Sequence, residues 1–272
     1  MPFFTPEATA FAPWSLSKAK TGIQCPWKFK NQYLDKTVVP KEKIFELDDA
    51  KLRVGSSVHK YAEETARGRE ASIAEIIALE EGQLVHEEED DFKSMLDNVH
   101  AFNDKIESFK KTSKVVKDLV EVRLGMTSEL TPTGFFGKDV FFRGVMDRAL
   151  ITEDGVAVII DLKTGKFPSL KYAKDQLDAY SLLAFTTWDF VHTVRTGLYF
   201  TSTGDLLWGD KILRNSFGGW EEHPTVEFIN KAATEAGTGE ILPGKHCSWC
   251  QYKIMCLEER KARREKARQA RK

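Results

Sequence analysis

The sequence has no long apolar stretch and almost no net charge. No apolar run approaches the roughly 20 residues that a membrane-spanning helix needs, which argues against an integral membrane protein. Lysine and arginine number 40 against 41 aspartates and glutamates, so the formal net charge is −1 and there is no overall basic signature. The first residues also lack the basic and apolar regions of a secretory signal peptide. We therefore expect a cytoplasmic protein.

Cysteine is scarce as well, and three of the 4 cysteines are clustered. Cys247, Cys250 and Cys256 follow the spacing C-x2-C-x5-C, while Cys25 lies more than two hundred residues upstream. Stable disulfides are rare in the cytoplasm, so the cluster indicates a metal site. A tetrahedral thiolate site needs four ligands, which makes Cys25 the candidate fourth ligand. By coordination alone, zinc and an iron–sulfur cluster fit four thiolates equally well.

The rest of the composition is that of an ordinary globular protein, with 42% apolar and 30% charged residues among 272. Helical patterns come first, then a run of strands, a helix, a strand and further helices, which is typical of an α+β or mixed α/β fold. We expect one integrated domain in three segments. These are an N-terminal helical region over 1–115, a core over 116–205, and a C-terminal helical segment with a basic tail over 206–272.

Apolar spacing predicts the main helices and strands. One helix is expected to break near Pro26 and resume to Leu34, and a second to run through about Thr65. A third, ASIAEIIALEE, stops near Gly82. A fourth keeps a 3.6-residue apolar period at Phe92, Met95, Leu96, Val99, Phe102 and Ile106. The predicted strands are DLVEVRLGMTS, KDVFFRGVMDRALIT, GVAVIIDLKTG and VRTGLYFTST, and the turn TEDG predicts an antiparallel hairpin between the second and third of them.

Two carboxylates and a lysine are expected to meet at the end of this hairpin. Asp161 and Lys163 are two apart on one strand and so share a face, and the hairpin places Asp147 near them. Such a group is costly to desolvate unless something binds there, and a divalent cation is the obvious partner. The alternative is a surface salt bridge of little consequence. The strongly apolar strand AVIIDLKTG favours a buried site.

Three further residues extend the pattern. Gln176 and Tyr180 are four apart on the following predicted helix, so they share a face. His59 lies in GSSVHKYAEE on an upstream helix. A single histidine is more often a structural residue than a ligand, and that alternative stays open for His59.

These motifs, taken in order, resemble a known family. G-x-x-D-R, a strand ending in D-x-K-T-G, and Q-x-x-x-Y resemble the RecB-like branch of the PD-(D/E)xK nucleases. GSSVHKYAEE is similar to the G-x-x-x-H helix of that branch, and the cysteine layout is similar to its iron–sulfur members. Those members include the AddB nuclease module, CRISPR-associated RecB-like exonucleases and phage relatives. The resemblance covers roughly residues 14–258, with one departure: Asp161 stands where the family often has glutamate.

The resemblance implies a PD-(D/E)xK core, a central mixed sheet flanked by helices, with N- and C-terminal helical segments joined by a metal cluster. It implies a metal-dependent DNA nuclease, an exonuclease on single-stranded or end-containing DNA that acts in recombination, repair, or phage or CRISPR DNA processing. Lys163 would be catalytic, with Gln176 and Tyr180 as positioning residues. The implied ligands of Mg²⁺ or Mn²⁺ are His59, Asp147, Asp161 and the Leu162 carbonyl, with Glu121 as a weaker candidate. Those of a 4Fe-4S cluster are Cys25, Cys247, Cys250 and Cys256.

DNA is the expected partner, and a recombination or CRISPR-adaptation protein is a possible second one. In CPWKFKNQY, Trp27, Phe29 and Tyr33 could stack on bases, and Lys28 and Lys30 could contact phosphates. A helix with an apolar core face explains these residues equally well. The basic tail Arg260–Lys272 could also hold phosphates. Two other functions stay open: a non-catalytic DNA-binding or assembly subunit with a nuclease-like fold, and a zinc-stabilised enzyme directed at RNA.

Overall fold

The computed structural model describes residues 2–41, 50–69, 86–165, 168–171 and 173–270. Its contacts divide the chain into two compact units. One unit joins Met1–Asp48 to Val226–Lys272, and the other is Asp49–Thr225. The helix that carries His59 belongs to the second unit. The segments predicted from the sequence placed this helix with Cys25 in the N-terminal region 1–115.

The described α-helices are numbered in chain order: α1 (Pro6–Ala10), α2 (Leu16–Gln24), α3 (Pro26–Phe29), α4 (Ala50–Ala66), α5 (His86–Thr112), α6 (Lys174–Thr187), α7 (Pro224–Gly237) and α8 (Lys253–Gln269). A π-helical turn, Lys30–Leu34, continues α3, and short 3-10 helices cover Trp220–Glu222 and Lys245–Trp249. The predicted break at Pro26 and the predicted helix through Thr65 are confirmed. The predicted helix ASIAEIIALEE lies outside the described residues. None of the described helices is long and apolar enough to cross a membrane.

A six-stranded sheet forms the centre of the second unit, in the order β2-β1-β3-β4-β5-β6. Only β4 and β5 are parallel, and the other neighbours are antiparallel, so the sheet is mixed as expected. The strands are β1 (Val115–Met126), β2 (Pro132–Thr133), β3 (Phe142–Thr152), β4 (Val156–Lys163), β5 (Thr193–Phe200) and β6 (Asp205–Leu213). The fold class is therefore the predicted α+β arrangement.

The β3–β4 hairpin forms at the predicted TEDG turn. Gly155 adopts φ 77°, a conformation that glycine reaches without steric cost, and its N–H donates to the Thr152 carbonyl at 3.1 Å. A Cβ at Gly155 would also lie 2.7 Å from the Phe190 carbonyl oxygen. This turn fixes the register of the two strands that carry the acidic residues.

Helices cover both faces of the sheet. The apolar positions predicted for α5 are all buried, and they pack with α4 against Leu162 and other β4 residues. The next residue back, Asp161, points the other way and bonds to Tyr180 of α6. Alternation along β4 thus separates an α4–α5 face from an α6 face. This arrangement lets residues from both layers reach the same end of β4.

In the first unit, the N-terminal and C-terminal segments pack together. Gly22 of α2 lies so close to α7 that a Cβ would be 2.9 Å from the Ala232 carbonyl oxygen. The Trp27 N–H donates to the Glu240 carbonyl at 2.8 Å, just before the cysteine cluster. These contacts bring Cys25 to the C-terminal cysteines.

Candidate functional site

The β3–β4 hairpin opens at one end, where the predicted acidic residues lie. The two strands pair only as far as Arg148 and Ile160. Asp147 is the next residue on β3, and its Oδ2 accepts a 2.6 Å hydrogen bond from the Leu162 backbone N–H. Where β3 and β4 separate, the Asp147 carboxylate thus accepts the hydrogen bond from the Leu162 N–H in place of a backbone carbonyl of the neighbouring strand. The carbonyl of Leu162 faces the same gap, because N–H and C=O of one strand residue point to the same side.

Asp161, Lys163, Gln176 and Tyr180 form one hydrogen-bonded network beside this gap. Tyr180 OH donates to Asp161 Oδ1 at 2.6 Å, and Gln176 Nε2 donates to the same oxygen at 2.8 Å. Gln176 Nε2 also lies 2.7 Å from Tyr180 OH, and its Oε1 accepts from Lys163 Nζ at 2.9 Å. The structure therefore brings together the four residues that the sequence placed on a strand and a helix.

Burial governs the protonation of this network. Burial first, and then the charge of Asp147, raises the pKa of Asp161, while the Lys163 ammonium opposes that shift. Burial and the carboxylates of Asp161 and Asp147 raise the pKa of Tyr180 well above its usual range. Tyr180 thus keeps its proton and serves as a donor to Asp161.

His59, Glu121 and Asp147 converge from α4, β1 and β3. One ligand atom from each lies within 4.8 Å of the others, and no second such group occurs among the described residues. His59 Nδ1 is 3.3 Å from Asp147 Oδ1. One imidazole and two carboxylates offer the nitrogen and oxygen donors that Mn²⁺ accepts, and the carboxylates suit Mg²⁺.

Glu121 is held in a strained backbone conformation at this point. Its φ is 51°, although it lies inside strand β1. The residues before and after Glu121 pair normally with β3, as Val120 with Arg148 and Val122 with Met146. Burial, followed by the charge of Asp147, raises the pKa of Glu121 to about 7. For His59, burial would lower the pKa, but the hydrogen bond and charge of Asp147 outweigh it and raise the pKa overall. Two carboxylates are thus pressed together where a cation would relieve their repulsion.

An unsatisfied oxygen supports the fit of a cation. Asp161 Oδ2 is buried and has no aligned hydrogen-bond donor among the described residues. Lys163 Nζ approaches it to 2.6 Å, so the two attract as charges without hydrogen-bond geometry. The oxygen has spare acceptor capacity of the kind a hard cation requires, although Asp161 is not part of the group in which ligand atoms of His59, Glu121 and Asp147 lie within 4.8 Å of one another.

Sequence reasoning ranked Glu121 last and did not single out Glu63. Glu63 lies four residues after His59 on α4 and lines the same cavity as His59, Glu121 and Asp147. Its carboxylate also pairs with Arg67 at 2.6 Å. The four-residue spacing from His59 was the available signal, since i and i+4 share a helix face.

All four cysteines line one cavity of about 100 Å³ in the first unit. Cys25 and Cys250 are buried together with Trp27 and Tyr252, and Cys256 packs against them. Burial raises the pKa of both Cys250 and Cys256, and the neighbouring cysteines add to the shift. The four thiols therefore line one common cavity.

The predicted DNA contacts on α3 need correction for the aromatic residues. Trp27 is buried in the cysteine cluster, with its ring edge-on to Tyr252 at 6.4 Å, so it does not present a face for base stacking. Phe29 is buried too and stacks on Trp14 at 5.7 Å. Lys30 pairs with Asp35. Lys28 lines the cysteine cavity, and a role for the two lysines in binding phosphate stays a prediction.

Comparison with known proteins gives a family match. A family model described as the PD-(D/E)XK nuclease superfamily matches residues 13–257. A search of curated proteins found no match.

Two solved structures are similar to the chain. One is a protein from Eubacterium rectale provisionally described as an exonuclease, with 15% identity, a TM-score of 0.48, and coverage of 91% of this chain and 89% of that one. The other, SSO0001, has 14% identity, a TM-score of 0.36, and coverage of 85% and 93%. Both scores are below 0.5, so no conclusion rests on them.

Proposed function

Because the chain belongs to the PD-(D/E)XK nuclease superfamily, we propose that it is a metal-dependent nuclease that hydrolyses phosphodiester bonds in DNA. The observation that carries the proposal is the convergence of His59, Glu121 and Asp147 where β3 and β4 separate, at the end of β4 that carries Asp161 and Lys163. We propose further that it acts as an exonuclease on DNA ends, in recombination, repair, or phage or CRISPR DNA processing.

Mg²⁺ or Mn²⁺ would be held by Asp147, Asp161, His59 and the Leu162 carbonyl, with Glu121 available for a second ion or a shared one. When bound, the ion polarises a phosphoryl oxygen and lowers the pKa of a coordinated water. The spare acceptor capacity of Asp161 Oδ2 and the raised pKa of Glu121 support this ligand set.

Lys163 is proposed as the catalytic residue. Its side chain is 34% exposed beside Asp161, so the ammonium can face a substrate phosphate, where it offsets developing negative charge and orients a water molecule. Gln176 Oε1 accepts a hydrogen bond from Lys163 Nζ, and Tyr180 OH donates one to the Asp161 carboxylate beside it. Gln176 and Tyr180 are therefore positioning residues.

Cys25, Cys247, Cys250 and Cys256 are proposed to hold a 4Fe-4S cluster with a structural role. All four cysteines line one cavity of about 100 Å³. Four thiolates suit zinc and an iron–sulfur cluster equally well by coordination, and the similarity of the cysteine layout to that of iron–sulfur relatives is the reason for preferring a cluster. His246, whose Nε2 is buried and has no hydrogen-bond partner in the part of the chain that the structure describes, lines the same cavity.

The test is digestion of labelled DNA by anaerobically purified protein with Mg²⁺, Mn²⁺ or EDTA. Linear single- and double-stranded DNA, closed circular DNA and RNA would be compared. An exonuclease cleaves the linear DNAs and spares the circle. Asp161→Asn should be inactive, and Asp178→Asn, which changes an aspartate paired with Lys174 on α6, should behave as wild type. Folded wild-type protein that leaves every substrate intact in both metals would favour the non-catalytic subunit instead.

A further inference from the structure

A turn at the edge of the sheet presents two phenylalanines. Gly134, Phe135, Phe136 and Gly137 form a four-residue turn closed by a 2.8 Å hydrogen bond from the Gly137 N–H to the Gly134 carbonyl. Tips of turns usually carry small or polar residues. Here Phe136 is 75% exposed, and its ring lies edge-on to Phe135 at 4.9 Å. The hydrogen-bonded turn thus exposes the Phe136 ring to solvent.

Two arginines support these rings. Arg143 lies 4.9 Å from the Phe135 ring and 5.5 Å from the Phe136 ring, and its Nη1 donates to the Phe135 carbonyl at 3.2 Å. Arg123 lies 6.0 Å from the Phe135 ring. Neither guanidinium forms an ion pair with a carboxylate among the described residues. The platform therefore carries two positive charges that are available to an anion.

The platform faces the same side of the sheet as the metal ligands. A Cβ at Gly144 would lie 2.9 Å from Leu183 of α6, so Gly144 faces α6 and Arg143 faces away from it. Asp147 contacts His59 of α4, which packs on the face opposite α6. Arg143 and Asp147 are four positions apart on β3, a distance of about 13 Å.

We propose that Phe136, Arg123 and Arg143 bind a single-stranded segment of the DNA substrate next to the cleavage site. A base would stack on the exposed Phe136 ring, and the guanidinium groups would contact the flanking phosphates. Single-stranded DNA fits better than a duplex, since the bases of a duplex are already stacked on one another. The inference rests on the proposed nuclease function and assigns the residues that would select a single strand.

The test is binding of a fluorescein-labelled single-stranded oligonucleotide, followed by anisotropy with Ca²⁺ in place of Mg²⁺, and a blunt duplex in parallel. Phe136→Ala should weaken single-strand binding roughly 5- to 150-fold, the range expected for one base–aromatic stack, and Phe136→Trp should restore it. Arg123→Ala should make the slope of log affinity against log salt shallower by about 0.7, as for one lost phosphate contact. In cleavage of single-stranded DNA, both losses should appear mainly in KM.

Matched controls lie elsewhere on the surface. Phe190 is an exposed phenylalanine, and Arg195 stacks on Trp208 at 4.5 Å. Phe190→Ala and Arg195→Ala should bind as wild type. If Phe136→Ala and Arg123→Ala also bind DNA as tightly as wild type, and wild type binds and cleaves DNA, the inference fails and the nuclease function stands. If wild type neither binds nor cleaves DNA, the proposed function fails. If Phe136→Ala abolishes self-association but keeps full DNA affinity, the turn is a protein contact and the inference is overturned.

Discussion

At the scale of single residues, the site depends on one buried carboxylate whose neighbours have distinct tasks. Tyr180 and Gln176 both donate to Asp161 Oδ1, which leaves Oδ2 beside the Lys163 ammonium. Asp161 is only 3% exposed, so its charge needs these partners. The departure from the family's more frequent glutamate shortens the carboxylate arm, and the Tyr180 bond holds that shorter arm in place.

Lys163→Ala should lower kcat for DNA cleavage by about two to three orders of magnitude, because one preorganised positive group is lost. Folding should be preserved, since the Lys163 side chain is partly exposed at the last position of β4. Single-turnover cleavage with Mg²⁺ measures the effect. Lys174→Ala, which removes an exposed ammonium on α6, is the control and should cleave as wild type. Wild-type rates from pure, folded Lys163→Ala would remove the lysine from the catalytic assignment.

Metal affinity should fall when any of the three converging residues is changed. His59→Ala and Glu121→Gln should each weaken Mn²⁺ binding about tenfold or more, because each removes a donor from one small site. Titration calorimetry with Mn²⁺ provides the measurement, and high Mn²⁺ should partly restore cleavage in both variants. His100, which bonds Tyr61 between α4 and α5, provides the control His100→Gln. Unchanged Mn²⁺ affinity in His59→Ala would return His59 to a structural role.

At the scale of elements, the sequence predicted the features that depend on local pattern, namely the buried face of a helix and the position of a turn. The apolar period from Phe92 to Ile106 predicts the buried face of α5, and TEDG predicts the turn that fixes the β3–β4 register. The break at Asp147 and the positive φ of Glu121 were beyond prediction, because tertiary contacts impose both. Strand β6 was missed because it contains Gly209 and Asp210, residues that are depleted in strands, and only pairing with β5 makes it extended.

A buried histidine should make stability depend on pH. His223 Nδ1 accepts from the Thr225 N–H and Nε2 contacts Ser181 Oγ, both at 3.2 Å, so the neutral ring fits its site. Burial, then the charge of Lys174, lowers the pKa of His223 to about 4. The unfolded chain takes up the proton first, near its ordinary pKa of about 6.5. Stability from the neutral ring is thus complete above pH ~6.5 and lost as pH falls toward ~4, by about 3 kcal/mol.

Urea unfolding between pH 7.5 and pH 4 measures this effect. His223→Gln should be less stable than wild type at neutral pH but should lose about 3 kcal/mol less across the acidic range, since it removes the proton uptake. His192→Gln, at an exposed position, should keep the wild-type slope. If the free energy of unfolding falls equally with pH in His223→Gln and in wild type, carboxylates alone cause the acid sensitivity.

At the scale of the whole molecule, the cysteine site joins residues from opposite ends of the chain. Cys25 lies at the end of α2, and its three partners lie between Gly244 and the first turns of α8. Packing alone already brings the ends together, through the bond from Trp27 to the Glu240 carbonyl and the contact of α2 with α7. A cluster bound there would close a loop of more than two hundred residues, a constraint that falls mainly on the unfolded chain.

Cys25→Ser should therefore damage the site as severely as Cys250→Ser, because either change opens the same four-thiolate shell. Both variants should be pale, less stable and more sensitive to protease than wild type. Wild type should contain iron and acid-labile sulfide in comparable amounts, with broad visible absorbance that bleaches on reduction, whereas a zinc protein would be colourless and free of sulfide. Ser248→Ala, within the same segment, provides the control and should keep its colour. Iron and sulfide analysis of anaerobically purified proteins decides the question. Full cluster occupancy and unchanged stability in Cys25→Ser would mean that another group is the fourth ligand and that the cluster does not join the two ends.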